Sequence, residues 1–252
     1  MSPSSLYLIT IMTYEQNIPF YIHKFKDYSW KQYESEHYVF HVEENSLAEK
    51  DIEEIKKRQE AAYAKIMEKL KLSSPDRKII YYFYSSRENK AKLMGDDWYG
   101  QSIYNELAVH AIYSEKDKVV GEHEDTHLLS LQMGLPISLF QEGLAEFMVG
   151  KSMFGKNHDA VIKEGIERGL SVELKNLMSQ EGWLNTSDEE AELYYSVAGS
   201  FVSFIYANFG LELLKKIYAT MDRKNSGEEN MRLLESITGQ SFDNLEASLL
   251  KR

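Results

Sequence analysis

The pattern of apolar residues changes near residue 118, and this change limits the folds that the chain can adopt. Before this point, short segments alternate apolar and polar residues, as strands with one buried face do. The segments 37–42, 78–86 and 106–114 are predicted strands, and a long helix is predicted between the first two. After this point, apolar residues recur at helical spacing. The first half therefore has the order β-α-β-β, and we predict an α+β fold.

Glycines and hydroxyl side chains mark where the predicted helices begin and end. Ser46 is the expected N-cap of the long helix over 46–72, and Ser138 is an expected cap in the second half. The helices predicted after residue 118 cover Val119–Met133, a segment from Ser138, a segment over 200–221 that is interrupted near Gly210, and two short segments around Gly239.

The chain of 252 residues has four prolines and no glycine- or serine-rich linker. We therefore expect a single domain over 1–252, which is long enough to bury a core. Residues 1–134 would form a β-rich upper subdomain that includes the helix over Val119–Met133. Residues 135–252 would form a helical lower subdomain.

Composition excludes several classes of partner and site. The formal net charge of −11 argues against nucleic acid or an anionic membrane as the main partner, because either would repel the chain. The chain has no cysteine, so a transition metal must be held by nitrogen and oxygen atoms. The apolar run Leu6–Met12 does not have the pattern of a signal peptide. We expect a cytoplasmic monomer, with secretion as the alternative.

The segment GEHEDTHLL holds two histidines, His123 and His127, on a predicted helix. Residues four apart lie above one another on one helix face, so the two imidazoles could share one cation. Glu124 lies about 100° away around the helix and could reach a water molecule in the open position of that cation. This H-E-x-x-H spacing supplies two ligands and a general base from one turn. Zinc suits such ligands, and we expect one ion per chain.

A catalytic zinc ion needs a third protein ligand, and the segment LFQEGLAEFMVG offers two. Glu142 and Glu146 are four residues apart on the next predicted helix. A short turn at Gly134 and Pro136 would fold this helix back on the first one. A carboxylate of this second helix would then complete the ligand set.

The segments HEDTH and EGLAEF together resemble the gluzincin metallopeptidases. The likeness is greatest to the branch that includes small single-domain members, clostridial collagenases and aminopeptidases. It covers most of residues 37–250, although only these two segments are specific. The resemblance implies a zincin-like fold in which an active-site helix is followed by a glutamate helix, with a cleft between the two subdomains. It also implies a peptide or protein substrate.

The resemblance implies that the glutamate opening E-G-x-A-E is the third zinc ligand, which is Glu142 here. The aminopeptidase branch places about eighteen residues between the second histidine and this glutamate, whereas fourteen separate His127 from Glu142. Counting along the chain would instead select Glu146. We choose Glu142 by the local E-G-x-A-E motif. The loop between the two helices can vary in length, whereas the ligand must stay on the helix face that meets the histidines. Glu146 then orients a ligating histidine.

The resemblance also implies catalytic roles. Glu124 would act on the zinc-activated water as general base and pass the proton to the leaving amine. A tyrosine five residues before an S-F-V segment recurs in relatives, so Tyr195 is the expected donor to the oxyanion. The chain lacks a G-x-M-E-N-like segment, which favours an endopeptidase. The strand over 106–113, expected at the sheet edge, would line the cleft and pair with an extended substrate.

Two rival functions fit the same residues. One is a zinc-binding domain without turnover, as a scaffold or a latent form, and the other is a helical interaction protein without metal. Asp125 is expected to be a solvated charge on the helix. His37 and His41 are expected to face solvent rather than bind a second metal. No role is assigned to the remaining histidines, which are His23, His110 and His158.

Overall fold

The computed structural model describes residues 24–152, 154–170 and 173–249. The apolar run Leu6–Met12 and His23, which the sequence singles out, lie outside the described residues. The described chain forms two compact units, one that ends at Leu131 and one that begins at Gln132. One sheet and many helices make up these units, so the prediction of an α+β fold is confirmed.

The unit that ends at Leu131 is built on a five-stranded sheet with the strand order β1-β2-β3-β5-β4. Strands β2, β3 and β5 run parallel in the centre, and β1 and β4 are antiparallel to their neighbours at the two edges. The strands are β1 (Lys31–Glu34), β2 (Tyr38–Val42), β3 (Ile79–Tyr84), β4 (Gly100–Ile103) and β5 (Ala108–Ile112).

The prediction that the strand over 106–113 lies at the sheet edge is wrong. Strand β5 hydrogen-bonds to β3 on one side and to β4 on the other, so neither of its sides is open to a substrate. The edge next to β5 is formed by β4, whose segment GQSI contains one glycine and two polar residues. Such a segment has little strand preference of its own, and it becomes a strand because β5 offers unpaired backbone groups beside it.

In its described residues this unit has four α-helices: α1 (Leu47–Lys50), α2 (Ile52–Leu70), α3 (Arg87–Met94) and α4 (Glu122–Ser130). The predicted cap at Ser46 is confirmed, because its hydroxyl accepts a hydrogen bond of 3.2 Å from the backbone N–H of Glu49. The helix predicted over 46–72 is divided at Asp51, which separates α1 from α2.

Aromatic side chains cover both faces of the sheet. On one face the rings of Tyr38, Phe40, Tyr81 and Phe83 are buried, and Tyr38 packs edge-on against Tyr63 of α2. The other face is covered by Phe25 from the short 3-10 segment Lys24–Asp27 and by Leu93 and Met94 of α3. The sheet is therefore a buried central layer, which places its polar side chains in a low-dielectric environment.

The unit that begins at Gln132 is helical in its described residues, with α5 (Ser138–Val149), α6 (His158–Glu167), α7 (Gln180–Leu184), α8 (Ala191–Thr220), α9 (Gly227–Thr238) and α10 (Phe242–Leu249). Helices α5 and α6 pack on α8. The predicted interruption near Gly210 is confirmed by its non-helical backbone inside α8. The predicted end at Gly239 is confirmed by its left-handed backbone after α9.

The predicted cap at Ser138 is wrong. Ser138 is the first residue of α5, and Ile137 occupies the cap position without a side-chain hydrogen bond. The backbone N–H of Ser138 instead donates to Oε1 of Gln180, at 3.1 Å. A glutamine from α7 thus satisfies a backbone donor that a capping residue would otherwise satisfy.

Helix α8 is the one described helix that is long and apolar enough to cross a membrane by length and composition. Half of its most apolar window is buried inside the protein. The central helix of a globular unit has the same properties, because it is surrounded by apolar neighbours.

Candidate metal centre on the HEDTH helix

Helix α4, which carries HEDTH, begins at Glu122 rather than at Val119. Gly121 precedes it with a φ of 106°, a conformation that favours glycine. The backbone N–H of Gly121 donates to Oε1 of Gln59 on α2. The helix ends at Ser130 and continues as a 3-10 turn to Met133. The sequence predicts the helix correctly but places its start one turn too early.

The two histidines of α4 lie side by side, as their spacing predicts. The ring centroids of His123 and His127 are 5.0 Å apart, with their planes at 85°. His127 is buried and His123 is half-buried. Their ring nitrogens can therefore approach one ion from the same face of the helix.

Glu142 joins the two histidines as a candidate ligand. One possible ligand atom from each of His123, His127 and Glu142 lies within 4.8 Å of the other two. Both Glu142 and Glu146 are buried side chains of α5. A cation is one of the partners that can compensate a buried carboxylate for its loss of hydration, and this group of three could hold a metal ion.

The carboxylate of Glu124 lies against the edge strand β4. Ser102 donates a hydrogen bond of 2.7 Å to Oε2 of Glu124, and its hydroxyl is also 3.2 Å from the backbone oxygen of Glu124. Glu124 is half-buried. The candidate base is thus ordered by a neighbouring strand, and the sequence offers no pattern that identifies Ser102 as its partner.

The expectation that Asp125 is a solvated helix charge is wrong. Asp125 is fully buried and accepts hydrogen bonds from the hydroxyl groups of Tyr38 at 2.5 Å and Tyr81 at 2.7 Å. Nε2 of Gln59 donates a third, at 3.0 Å. Burial raises the pKa of Asp125 to about 7, against the two tyrosine hydrogen bonds, which lower it.

A signal for this burial was present in the sequence. Asp125 lies three and four residues before Leu128 and Leu129, both of which are buried. Residues at that spacing share a helix face, so the apolar pair already points to the buried side of α4. A charged residue on that side requires polar partners from the sheet, and the tyrosines of β2 and β3 supply them.

Glu146 packs beside a histidine of its own unit. Nε2 of His158 is 3.2 Å from the backbone oxygen of Glu146 and 3.7 Å from its Oε2. Nδ1 of His158 is 3.3 Å from the hydroxyl of Ser196 on α8. The sequence assigned no role to His158, and the structure gives it these buried polar neighbours. The expected role of Glu146 in orienting a ligating histidine stays a prediction.

Tyr195 lies in the second turn of α8 rather than just before an apolar helix. Its ring meets Trp183 of α7 edge-on, with centroids 5.4 Å apart, and the side chain is half-buried. The hydroxyl of the neighbouring Tyr194 donates to Glu190 at 3.2 Å. The two tyrosines are therefore directed to different surroundings, and the catalytic role of Tyr195 stays a prediction.

The histidines that the sequence set aside have other partners. Nδ1 of His37 is 2.6 Å from Oε2 of Glu60, and its ring stacks on Tyr63. The ring of His41 stacks on Tyr82, which in turn stacks on the buried His110. His37 and His41 therefore belong to different side-chain clusters, and His41 is a part of the aromatic layer on the sheet.

Neither the models of protein families nor the curated proteins include a match to this chain.

Proposed function

We propose that the protein is a zinc metallopeptidase of the gluzincin type, with a zincin-like arrangement of its active-site and glutamate helices. The observation that carries the proposal is the grouping of His123, His127 and Glu142, whose candidate ligand atoms all lie within 4.8 Å of one another. Glu124 directly follows His123, on the helix that holds both histidines.

The donor set fits zinc. Two imidazoles and one carboxylate form the ligand set of many catalytic zinc sites, which keep a fourth position open. Ligands about 2.1 Å from a tetrahedral ion lie about 3.4 Å from one another, so atoms within 4.8 Å need only small side-chain movements to bind one ion. The absence of cysteine in the chain is consistent with a site of nitrogen and oxygen ligands.

The proposed mechanism assigns one task to each residue. A bound zinc ion would supply Lewis-acid activation of a water molecule and of the peptide carbonyl. Glu124 would take the proton from the attacking water and deliver it to the nitrogen of the leaving amine. Tyr195 would donate a hydrogen bond to the oxygen that becomes negatively charged as the carbonyl carbon turns tetrahedral.

The substrate would be a peptide or protein in extended conformation. Because β5 is enclosed between β3 and β4, the edge strand that lies beside the candidate base Glu124 is β4, through Ser102. An extended peptide can add to the outer side of such an edge strand through backbone hydrogen bonds. Pairing of this kind does not require a free chain end, which is in keeping with endopeptidase action.

Metal analysis and a peptide digest test this proposal. The purified chain should bind about one zinc ion, and His123→Ala and His127→Ala should each abolish the binding, whereas His37→Ala should not. The zinc-loaded protein should cleave members of a peptide library, with products identified by mass spectrometry. Glu124→Ala should keep the metal and lose the cleavage, because it removes the base and leaves the ligands.

The control for Glu124→Ala is Glu122→Ala, which removes a carboxylate from the same turn of α4. Glu122 forms an ion pair with Lys65 at 2.6 Å, so its loss should leave cleavage close to the wild-type rate. Zinc binding without cleavage of any peptide would favour a domain without turnover. A chain that binds no zinc would favour an interaction protein. A Glu124→Ala protein with wild-type activity would contradict the mechanism.

A further inference from the structure

The edge strand β4 makes two separate contacts with the side chain of Glu124. The first is the hydrogen bond from Ser102, which donates to Oε2 at 2.7 Å and is 3.2 Å from the backbone oxygen of the same residue. The second is a close approach at Gly100, two residues earlier in the strand. Residues two apart in a strand point to the same side, so both contacts come from one side of β4.

Gly100 makes room for the carboxylate. A Cβ atom built at this position would lie 2.9 Å from Cδ of Glu124 and closer still to its Oε1, and 3.1 Å from Cγ1 of Val119. The φ of Gly100 is not in the left-handed region, so the backbone itself would accept alanine. An added Cβ would therefore push the carboxylate of Glu124 aside, whereas the conformation of the chain itself does not call for glycine.

Strand β4 is itself fixed by a buried ion pair. Lys90 of α3 is fully buried and pairs with Asp96, which precedes β4. The same Asp96 oxygen accepts a hydrogen bond of 3.2 Å from the backbone N–H of Trp98. Along one of its edges, β4 is paired with β5 over its whole length. A strand held at both its entrance and its inner edge can serve as a rigid support for a side chain.

We propose that Ser102 and Gly100 are positioning residues for Glu124. Glutamate has three rotatable side-chain bonds, and a base must be held close to the productive geometry to work at full rate. The hydroxyl of Ser102 holds one carboxylate oxygen, and the missing side chain at Gly100 lets the carboxylate lie against the strand. This inference rests on the proposed function, because it takes Glu124 to be the base.

The first experiment measures the contact between Ser102 and Glu124 through thermal stability and needs no activity assay. In the metal-free full-length chain, Ser102→Ala is expected to lower Tm by about 2–4 °C, but by less than half as much in a Glu124→Ala background, because the hydrogen bond to the side chain is already lost. Ser35→Ala is the matched control, since Ser35 donates to the carboxylate of Glu60 at 2.6 Å. Its effect on Tm should be the same in both backgrounds.

The second experiment measures peptide cleavage by the zinc-loaded variants. Ser102→Ala should keep one zinc ion and lower kcat roughly tenfold to a hundredfold with KM little changed, because misplacing a catalytic group costs rate rather than binding. Ser102→Thr keeps the hydroxyl and should restore most of kcat. Gly100→Ala should lower kcat by a similar factor, whereas Gly227→Ala, where a Cβ would make only ordinary contacts, should not.

The outcomes separate this inference from the proposed function. An active wild type with an unchanged kcat in both Ser102→Ala and Gly100→Ala would overturn the inference and leave the peptidase intact. A wild type that cleaves no peptide would refute the proposed function, and the unfolding measurements then decide only whether Ser102 holds the side chain of Glu124. If Ser102→Ala lowers Tm equally in the wild-type and Glu124→Ala backgrounds, Ser102 does not hold the side chain of Glu124 and the inference is overturned.

Discussion

The two helices that carry the candidate ligands are held in their units by different interactions. Helix α4 is anchored through hydrogen bonds, since Asp125 accepts from the buried hydroxyls of Tyr38 and Tyr81. Helix α5 is anchored by close packing, since Gly143 lies so near α8 that a Cβ there would be 2.5 Å from the backbone oxygen of Ala198. One helix depends on polar partners and the other on the absence of a side chain.

This difference determines which substitutions each helix can tolerate. Hydrogen bonds are directional, so they fix the orientation of a helix. This support is lost when one partner is removed, because the other polar groups are then buried without a hydrogen bond. A closely packed anchor sets the distance between helices, and it fails when volume is added. Removing polar atoms should therefore disturb α4 more, and adding a methyl group should disturb α5 more.

The largest expected effect concerns the two carboxylates of α5. Glu142→Ala should abolish tight zinc binding, because it removes a proposed ligand. Glu146→Ala should weaken the affinity by roughly tenfold to a hundredfold, which is usual for a residue that orients a ligand. Isothermal titration of metal-free protein with zinc measures both. The reverse order would show that the residue count from His127, rather than the E-G-x-A-E motif, identifies the third ligand.

The second-largest expected effect is on the free energy of unfolding, and it tests the hydrogen bonds that Asp125 of α4 accepts. Asp125→Ala leaves two phenol hydroxyls and one amide without their shared acceptor, and it should lower the free energy of unfolding by about 3 kcal/mol. Denaturant unfolding measures this value. Asp125→Asn is the control, because an amide can still accept from one side and donate to a tyrosine oxygen on the other. If the alanine variant is as stable as the asparagine variant, hydrogen bonds do not anchor α4.

Helix α8, on which α5 packs, carries the proposed oxyanion donor. Tyr195→Phe should fold and bind zinc normally while kcat falls about a hundredfold, equivalent to about 2.7 kcal/mol, with KM little changed. Tyr194→Phe is the matched control, since its hydroxyl donates to Glu190, and its kcat should stay near wild type. An unaltered kcat in Tyr195→Phe would remove Tyr195 from the site.

Adding one methyl group tests the packed anchor of α5. Gly143→Ala places a carbon against the backbone of Ala198 and 2.7 Å from Cγ2 of Val202, so α5 and α8 must move apart. We expect a loss of about 2 kcal/mol in the free energy of unfolding. Gly227→Ala, near the start of α9, is the control without a clash. Equal stability of the two variants would contradict close packing as the anchor of α5.

The smallest expected effect concerns a half-buried carboxylate, Glu49, as a contrast to the fully buried Asp125. A hydrogen bond from Lys31, with others from the backbone of Asn45 and the hydroxyl of Tyr33, lowers the pKa of Glu49 to about 2. A lowered folded-state pKa stabilises the protein above the unfolded value of 4.5, and this stabilisation is lost as the pH falls toward 2.

Glu49→Gln should therefore be less stable than wild type at neutral pH, with a difference that shrinks between pH 4.5 and pH 2. Thermal unfolding across this range measures it. A difference that is independent of pH would show that Glu49 acts through packing rather than through its charge. The contrast with Asp125 is one of burial, because a half-buried carboxylate keeps part of its hydration and a fully buried one does not.

The sequence by itself determined the features that depend on local spacing and backbone preference. The side-by-side histidines follow from a four-residue step on a helix, and the cap at Ser46 and the helix end at Gly239 follow from local hydrogen bonding and backbone freedom. The mixture of strands before residue 118 and helices after it was likewise readable from apolar periodicity.

Only the tertiary structure decided the features that depend on neighbours distant in sequence. The position of β5 inside the sheet, the burial of Asp125 and the contact of Ser102 with Glu124 join segments between 22 and 87 residues apart. A local pattern shows which side chains share a face, but it does not show which other segment covers that face. Strand order and packing decide this, because they follow from the burial of the whole chain at once.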